Sequence, residues 1–325
     1  MLKKIRNLLL RFGISTLSLV LLFYSVRGEF FEGINHLTNI KFSFLFVALV
    51  INFASLAVVA VRLGIILLVQ GIRSSFSRLY YLWSISLFFN LFLPSAVGGD
   101  IAKAYYLCKD SNKKMGSVTS VLIDRFFGMM ATISIGYVAY LLARKHIDDP
   151  RIGQLLFWAV TVVLISVFFV MSKRFSEPAK SFILKLSPSQ FKNRFQKLFE
   201  VFELYRTRRA NFFVLYGYSL LAQAMFILMV YFLARSIHIN LPLAIFFLFM
   251  PLITVISMLP SIGGLGVREA AIVYLFKGYI SLDQAVAFSL IFDLFIYGTG
   301  CACGILYAFR GGVALRELEK IKAES

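Results

Sequence analysis

Apolar stretches long enough to cross a bilayer recur through this chain, and they narrow its folds more than any other feature. Residues 42–61 run for twenty positions without one Asp, Glu, Lys or Arg. About 20 apolar residues is what a helix needs to cross a hydrocarbon core about 30 Å thick. Further runs of spanning length lie at about 116–142, 153–171, 211–234 and 283–308. Hydrophobic residues make up 59% of the 325 and charged residues 15%, against about 45–50% and about 25% in a soluble domain. One core cannot hide that excess, so most helices face lipid. The fold class is an all-α polytopic membrane protein.

Charge supports this reading from another side. The 34 Lys and Arg against 16 Asp and Glu give +18. A basic chain can bind nucleic acid. With 35 Phe and 15 Tyr, the basic residues belong instead in cytoplasmic loops beside anionic head groups. Membrane lipids are the expected partners, and nucleic acid is not. The three cysteines, Cys108, Cys301 and Cys303, are too few for a disulfide scaffold. Cys301 and Cys303 point to different faces of a helix, and His36, His146 and His238 are scattered. They read as packing residues, and no metal or cofactor is expected. The chain has no Gly-x-x-x-x-Gly-Lys-[Ser/Thr] motif, so direct ATP use is not expected.

Lys3, Lys4, Arg6 and Arg11 precede an apolar run to about Val26. The outline is that of a signal peptide, but the run is too long and lacks a small-x-small cleavage site. It is read as a retained first helix. Two other runs, 79–97 and 241–260, differ from the rest: each enters Leu-Pro-Ser and then a Gly pair. These are Leu93-Pro94-Ser95-Ala96-Val97-Gly98-Gly99 and Leu259-Pro260-Ser261-Ile262-Gly263-Gly264. Proline removes a donor and clashes with the preceding turn, while glycine permits open backbone. Irregular backbone at membrane depth survives only where protein or a water-filled cavity surrounds it. Shorter helical patterns follow at Asp100–Leu107 and Val267–Tyr279. Two broken helices or re-entrant hairpins are expected.

Pro94 and Pro260 are 166 residues apart, about half the chain. Ser120-Val121-Leu122-Ile123-Asp124-Arg125-Phe126-Phe127-Gly128 follows the first, and Ser289-Leu290-Ile291-Phe292-Asp293-Leu294-Phe295 with Gly298 the second. The same order appears twice: apolar helix, Leu-Pro-Ser-Gly-Gly break, apolar helix with a buried Asp. This predicts a duplication, with one half at about 8–142 and the other at about 153–308. Basic residues crowd the N-terminus, the 62–78 loop (Arg62, Arg73, Arg78), the 98–115 stretch, the 172–210 loop and the C-terminal tail. All fall inside only if the first break enters and leaves on the cytoplasmic side. The halves are then inverted, with six spanning helices, two re-entrant elements and both termini cytoplasmic. If the broken elements span, the count is eight. Inverted repeats with broken helices are common in transporters, whose sites lie at the repeat interface. The 172–210 segment has ten Lys and Arg, with Phe191, Phe195, Leu198, Phe199, Phe202 and Tyr205 at helical spacing. It reads as a basic amphipathic helix on the inner surface, or as an ordinary positive-inside loop.

Asp124 and Arg125 lie about 13 Å along their segment, and Asp293 is equally deep. Each costs about 2.5–3.5 kcal/mol at mid-bilayer unless paired or hydrated. Neighbours on a helix point about 100° apart, so these two need other partners. They face either a wet interior or an ion pair between the repeats, such as Arg125 with Asp293 or Glu269. The Gly263-Gly264-Leu265-Gly266-Val267-Arg268-Glu269-Ala270-Ala271 stretch is the most informative. A helix starting near Val267 presents partial positive charge, and Arg268 adds a full one with five donors. Together they suit a phosphate, and Glu269 balances Arg268 or holds an amine. Asp100 and Lys103 follow Gly98-Gly99 in a comparable arrangement.

On these residues the chain resembles the lysylphosphatidylglycerol synthase transmembrane, or flippase-like domain, family. The resemblance rests on Val61-Arg62-Leu63-Gly64 closing the second helix, Asn90 with Leu-Pro-Ser-x-x-Gly-Gly-Asp, the Asp124-Arg125 helix, and Leu-Pro-Ser-Ile-Gly-Gly-Leu-Gly-Val-Arg-Glu-Ala. It implies a bacterial or archaeal inner-membrane protein that translocates aminoacylated phospholipids or polyprenyl-linked glycolipids. No acyltransferase-like domain follows the last helix, so synthase activity is not expected. Where the family has Gly-Glu and then Arg, this chain has Gly99-Asp100 and Lys103. Two other functions fit the pattern. One is a membrane-embedded transferase on a lipid phosphate, with Asp100 or Glu269 as general base. The other is a non-catalytic partner of a glycosyltransferase or lipid synthase.

Overall fold

The computed structural model describes residues 35–92, 98–111, 113–143, 150–172, 209–258 and 265–309, with single positions at 181, 185 and 196. The expected first helix at about 8–26, nearly all of 172–210, the C-terminal tail and the Leu-Pro-Ser cores of both breaks lie outside the described residues. Every regular element among the described residues is a helix. A short turn at Leu37–Asn39 precedes α1 (Phe42–Val69), α2 (Phe76–Phe92), α3 (Gly98–Asp110), α4 (Lys114–Ala143) and α5 (Pro150–Met171). Then come α6 (Arg209–Ser236), α7 (Leu243–Ile256), α8 (Val267–Phe276) and α9 (Leu282–Phe309).

Length separates these helices into two kinds. Among the described residues, α1, α4, α6 and α9 are long and apolar enough to cross a membrane; 28 residues, as in α1, reach about 42 Å. The helices α2, α3, α7 and α8 have 17, 13, 14 and 10 residues. They extend about 26, 20, 21 and 15 Å, each short of a core about 30 Å thick. Side chains on α1 divide as lipid contact requires. Phe42, Phe46 and Val50, four residues apart, point outward at 75%, 66% and 51% exposure, while Ala60, Leu63 and Leu67 turn inward.

The short helices pair into two hairpins. Arg78 at the start of α2 donates to Asp110 at the end of α3, at 2.7 and 3.0 Å. At the other end the Gly99 amide donates to Asn90 Oδ1 at 2.7 Å. The two helices therefore run antiparallel, with both outer ends on one side. The sequence requires Gly99 at this crossing: a Cβ there would lie 2.2 Å from Ser86 Oγ. In the second hairpin, Phe249 of α7 packs on both Phe276 and Tyr279, at ring separations of 5.3 and 5.4 Å. Gly266 caps α8 with φ +80°, a conformation that penalises any residue with a Cβ.

Each hairpin rests on the long helix of the other half. Gly300 and Gly304 of α9 make room for Leu91 and Phe88 of α2; an added Cβ would come within 2.7 and 2.1 Å of them. Gly136 of α4 does the same for Pro251 of α7, at 2.9 Å. The helices α1 and α6 lie side by side and antiparallel. The Lys41 amide donates to the Ser236 carbonyl at 2.8 Å, and Arg62, farther along α1, reaches Ser219 Oγ at 2.9 Å. The order long helix, hairpin, long helix thus occurs twice. Phe246, Phe276 and Phe288, each fully buried, centre the packing of the second half.

Two sequence expectations need correction. Arg62 neither closes its helix nor sits in a loop: α1 continues to Val69, and Arg62 is only 4% exposed. The connection to α2 spans only residues 70–75. Helical periodicity continues through one arginine when that arginine has a buried partner.

Candidate functional site

Charged residues at membrane depth collect in two clusters. The first joins α1, α3 and α4. Arg62 Nε donates to Asp124 Oδ1 at 2.7 Å, and both side chains are buried. Lys103 Nζ lies 2.8 Å from Asp100 Oδ1 and 3.8 Å from Asp124 Oδ2. Its ammonium also sits 3.3 Å from the centre of the Trp83 ring, a cation–π contact that strengthens when water is excluded. Arg125 donates to Asp100 Oδ2 at 2.6 Å. Three cations thus meet two carboxylates, an excess of one positive charge.

Local structure explains this grouping. Asp100 falls in the first turn of α3, where a carboxylate is favoured by the helix dipole. One turn later Lys103 emerges on the same face. Asp124 and Arg125 diverge by about 100° on α4, so Asp124 reaches α1 while Arg125 reaches α3. The alternative of an Arg125 pair with Asp293 or Glu269 is corrected here: Arg125 finds its carboxylate in its own half, on a hairpin that packs directly beside α4.

The second cluster joins α8 and α9. Arg268 donates to Glu269 Oε1 at 3.2 Å and makes a short contact with Asp293. Its guanidinium lies 5.2 Å from the centre of the Phe292 ring. One cation faces two carboxylates here, an excess of one negative charge. Arg268 and Glu269 are 9% and 3% exposed.

A cavity of about 500 Å³ lies between the clusters and the two hairpin ends. Asn90, Asp100, Arg62, Asp124 and Arg125 line it from the first half. Arg268, Tyr297, Ser257 and Gln223 line it from the second. Glu269, Asp293 and Lys103 stand behind this wall: they act on the cavity through Arg268, Asp100 and Asp124. Gly98 and Gly99 are buried in the first turn of α3, against α2. Gly266 forms the N-cap of α8. Ser95, Ser261, Gly263 and Gly264 lie outside the described residues.

Several lining residues escaped sequence reasoning. Asn52 and Gln223 are amides well inside otherwise apolar helices, and both line the cavity. A lone amide in a spanning run is a readable signal. Trp83 and Ser219 carried no such mark, because their roles depend on which helix packs opposite. The described histidines, His36 and His238, line a different cavity.

The model of the family described as lysylphosphatidylglycerol synthase TM region matches residues 8–304. The UPF0104 membrane protein MJ1078 of Methanocaldococcus jannaschii is 27% identical over 213 residues, which cover 63% of this chain and 85% of that protein.

Proposed function

We propose that this chain, which belongs to the lysylphosphatidylglycerol synthase TM region family, flips a phospholipid or polyprenyl-phosphate-linked lipid across a prokaryotic cytoplasmic membrane. The observation that carries this reading is the cavity held between two hairpin ends, with Arg125 and Arg62 on one wall and Arg268 on the other. A head group leaving water loses its hydration, at a cost of several kcal/mol for an unpaired charge. Guanidinium groups lower that cost by offering paired donors to phosphate oxygens. Acyl or prenyl chains stay in lipid while the head group crosses through the polar interior.

The architecture supports alternating access. The antiparallel course of α1 and α6 is what an inverted duplication requires. So is the placement of α9, whose start is tied to the N-terminal side of α1 by His36 and Asp283 at 2.6 Å. In this reading both hairpins are re-entrant and meet near the bilayer midplane, as substrate sites do in inverted-repeat transporters. Both termini are cytoplasmic. The polar groups around the cavity favour binding over transfer chemistry, since its carboxylates are engaged by cations or stand behind the wall. The chain acts as a transporter and not as a transferase.

Arg268 gives the most direct test. Lysine keeps the charge and loses the bidentate fork, so Arg268→Lys should fold and translocate more slowly than wild type, and Arg268→Ala more slowly still. Loss of one charged hydrogen bond, about 1.5–3 kcal/mol, corresponds to about ten- to a hundredfold. Head-group-labelled phosphatidylglycerol in reconstituted vesicles, read with a membrane-impermeant quencher at equal folded protein, measures this. Unchanged translocation in Arg268→Ala overturns the role of Arg268.

A further inference from the structure

The two clusters are not equivalent. The first has an excess cation, and the second an excess carboxylate. Within the second, the Glu269 carboxyl contacts the Asp293 carboxyl as well as Arg268. Arg268 reaches both acids through Nη2, yet polar atoms of the trio are left over. Glu269 Oε2 is buried with no hydrogen-bond partner among the described residues, and so is Arg268 Nε. Glu269 is 3% exposed, so bulk water does not complete its shell. Two carboxylates in contact, with one shared cation and little water, hold one negative charge too many. A proton on one acid removes that excess and supplies the missing donor to the other oxygen.

Among the described residues no other counter-charge is seen beside the pair. The charged or titratable groups facing the pair are Arg268 from α8 and Tyr297 from α9. The helix α7 has no titratable residue. From α6 the neighbour is Phe226, packed on Phe292.

We infer that Glu269 and Asp293 form a proton-binding site behind Arg268, and that an anionic head group and a proton bind there together. The proton site stands on the cluster alone; its coupling to a head group rests on the flippase reading. Arg268 is the only member of the trio, among the described residues, that lines the cavity. When its guanidinium turns to a phosphate, the two carboxylates lose their cation and a further negative charge arrives. A proton from the aqueous side then binds a carboxylate oxygen; one O–H bond forms and no other covalent bond changes. By linkage, a ligand that raises proton affinity is itself bound more tightly when the proton is present. Translocation of an anionic head group would then carry one proton with it, which ties the direction of flipping to a pH gradient without nucleotide.

Infrared titration of the full chain tests this without requiring transport. The protein is reconstituted in ether-linked phosphatidylcholine vesicles, whose lipids have no ester carbonyl to mask a carboxylic acid band. Wild type should show a carboxylic C=O band at neutral pH. Glu269→Gln or Asp293→Asn should remove or move it, and Asp100→Asn should leave it in place. Adding ether-linked phosphatidylglycerol should shift its midpoint to higher pH, by about one pH unit for each tenfold of coupling. A wild-type spectrum without the band overturns the proton site even if no variant folds, as does a band indifferent to both amide variants. A band whose midpoint ignores phosphatidylglycerol overturns the coupling. Translocation with no proton site leaves the flippase reading standing, and a proton site in a protein that moves no lipid refutes that reading alone.

Discussion

Arg62 and Asp124, 62 residues apart in the chain, meet at 2.7 Å with side chains 5% and 2% exposed. The pair joins α1 to α4 at the cavity wall. Asp124 has a second cation, Lys103, at 3.8 Å, whereas among the described residues the further partner of Arg62 is the hydroxyl of Ser219. The carboxylate is therefore the centre of this arrangement, and the guanidinium one of its two arms.

Removing either partner strands a buried charge, which costs about 3–5 kcal/mol in well-studied pairs. Asp124→Ala strands Arg62 and leaves Lys103 to Asp100 alone, and should lower the melting temperature in detergent more than Arg62→Ala, where Lys103 still balances the acid. The double variant should be less destabilised than the sum of the two. Additive losses would show that the two side chains do not depend on each other.

Glycines at helix crossings should tolerate no methyl group. Gly99→Ala places a Cβ 2.4 Å from the Ser86 carbonyl as well as close to its hydroxyl, and Gly304→Ala drives one into the Phe88 ring. Overpacking of this kind costs about 1–3 kcal/mol. Gly217 has nothing within 4 Å of the same position, so Gly217→Ala should be neutral or stabilising by up to about 1 kcal/mol. Thermal melts of the three variants separate the cases.

An inverted arrangement assigns opposite membrane faces to the outer ends of the two hairpins. Lys109, near the end of α3, and Lys277, just after α8, are both exposed. In a chain whose native cysteines are replaced by serine, cysteine at position 109 should react with an impermeant maleimide from the cytoplasmic side only. Cysteine at 277 should react from the opposite side only. Labelling of both from one side would refute the inversion.

The Arg78–Asp110 pair ties the open end of the first hairpin, and both side chains are 34% exposed. Water and salt screen such a pair, so Arg78→Ala should cost at most about 1 kcal/mol. A larger loss of stability would mean that the aromatic contacts of Arg78 with Tyr81 and Tyr106 matter more than the charge.

Much of the helix layout was legible in the sequence, because a spanning run advertises itself by what it lacks. The breaks after Phe92 and Ile256 were marked by proline and glycine, and the costly charges at Asp100, Asp124, Arg125, Arg268, Glu269 and Asp293 stood out against apolar neighbours. Partner choice was not legible. Nothing in the local sequence tells Arg125 to take Asp100 from α3 in place of an acid from the other half, since that depends on which helices pack together. Arg62 was misplaced for a related reason: a lone arginine after an apolar run resembles an end, and only its buried carboxylate shows otherwise. The cap that Asn90 provides to Gly99 was hidden by the intervening break.

The exchange of hairpins between halves has a consequence for how the chain is made. Every ion pair described at membrane depth closes within one half: Arg62, Asp100, Lys103, Asp124 and Arg125 among themselves, Arg268 with Glu269 and Asp293. The glycine crossings between the halves, by contrast, join residues made far apart in time, Phe88 with Gly304 and Gly136 with Pro251. A ribosome delivers the first half into the membrane with partners for each of its buried charges already present, so that half can wait in lipid. The face of its hairpin that carries Leu91 and Phe88 stays uncovered until α9 emerges, and the helix that covers it is the last described helix to be synthesised. Assembly order is thus written as electrostatics first and apolar packing last, and a chain truncated before α9 would leave a half whose ion pairs are formed while Leu91 and Phe88 have no helix against them.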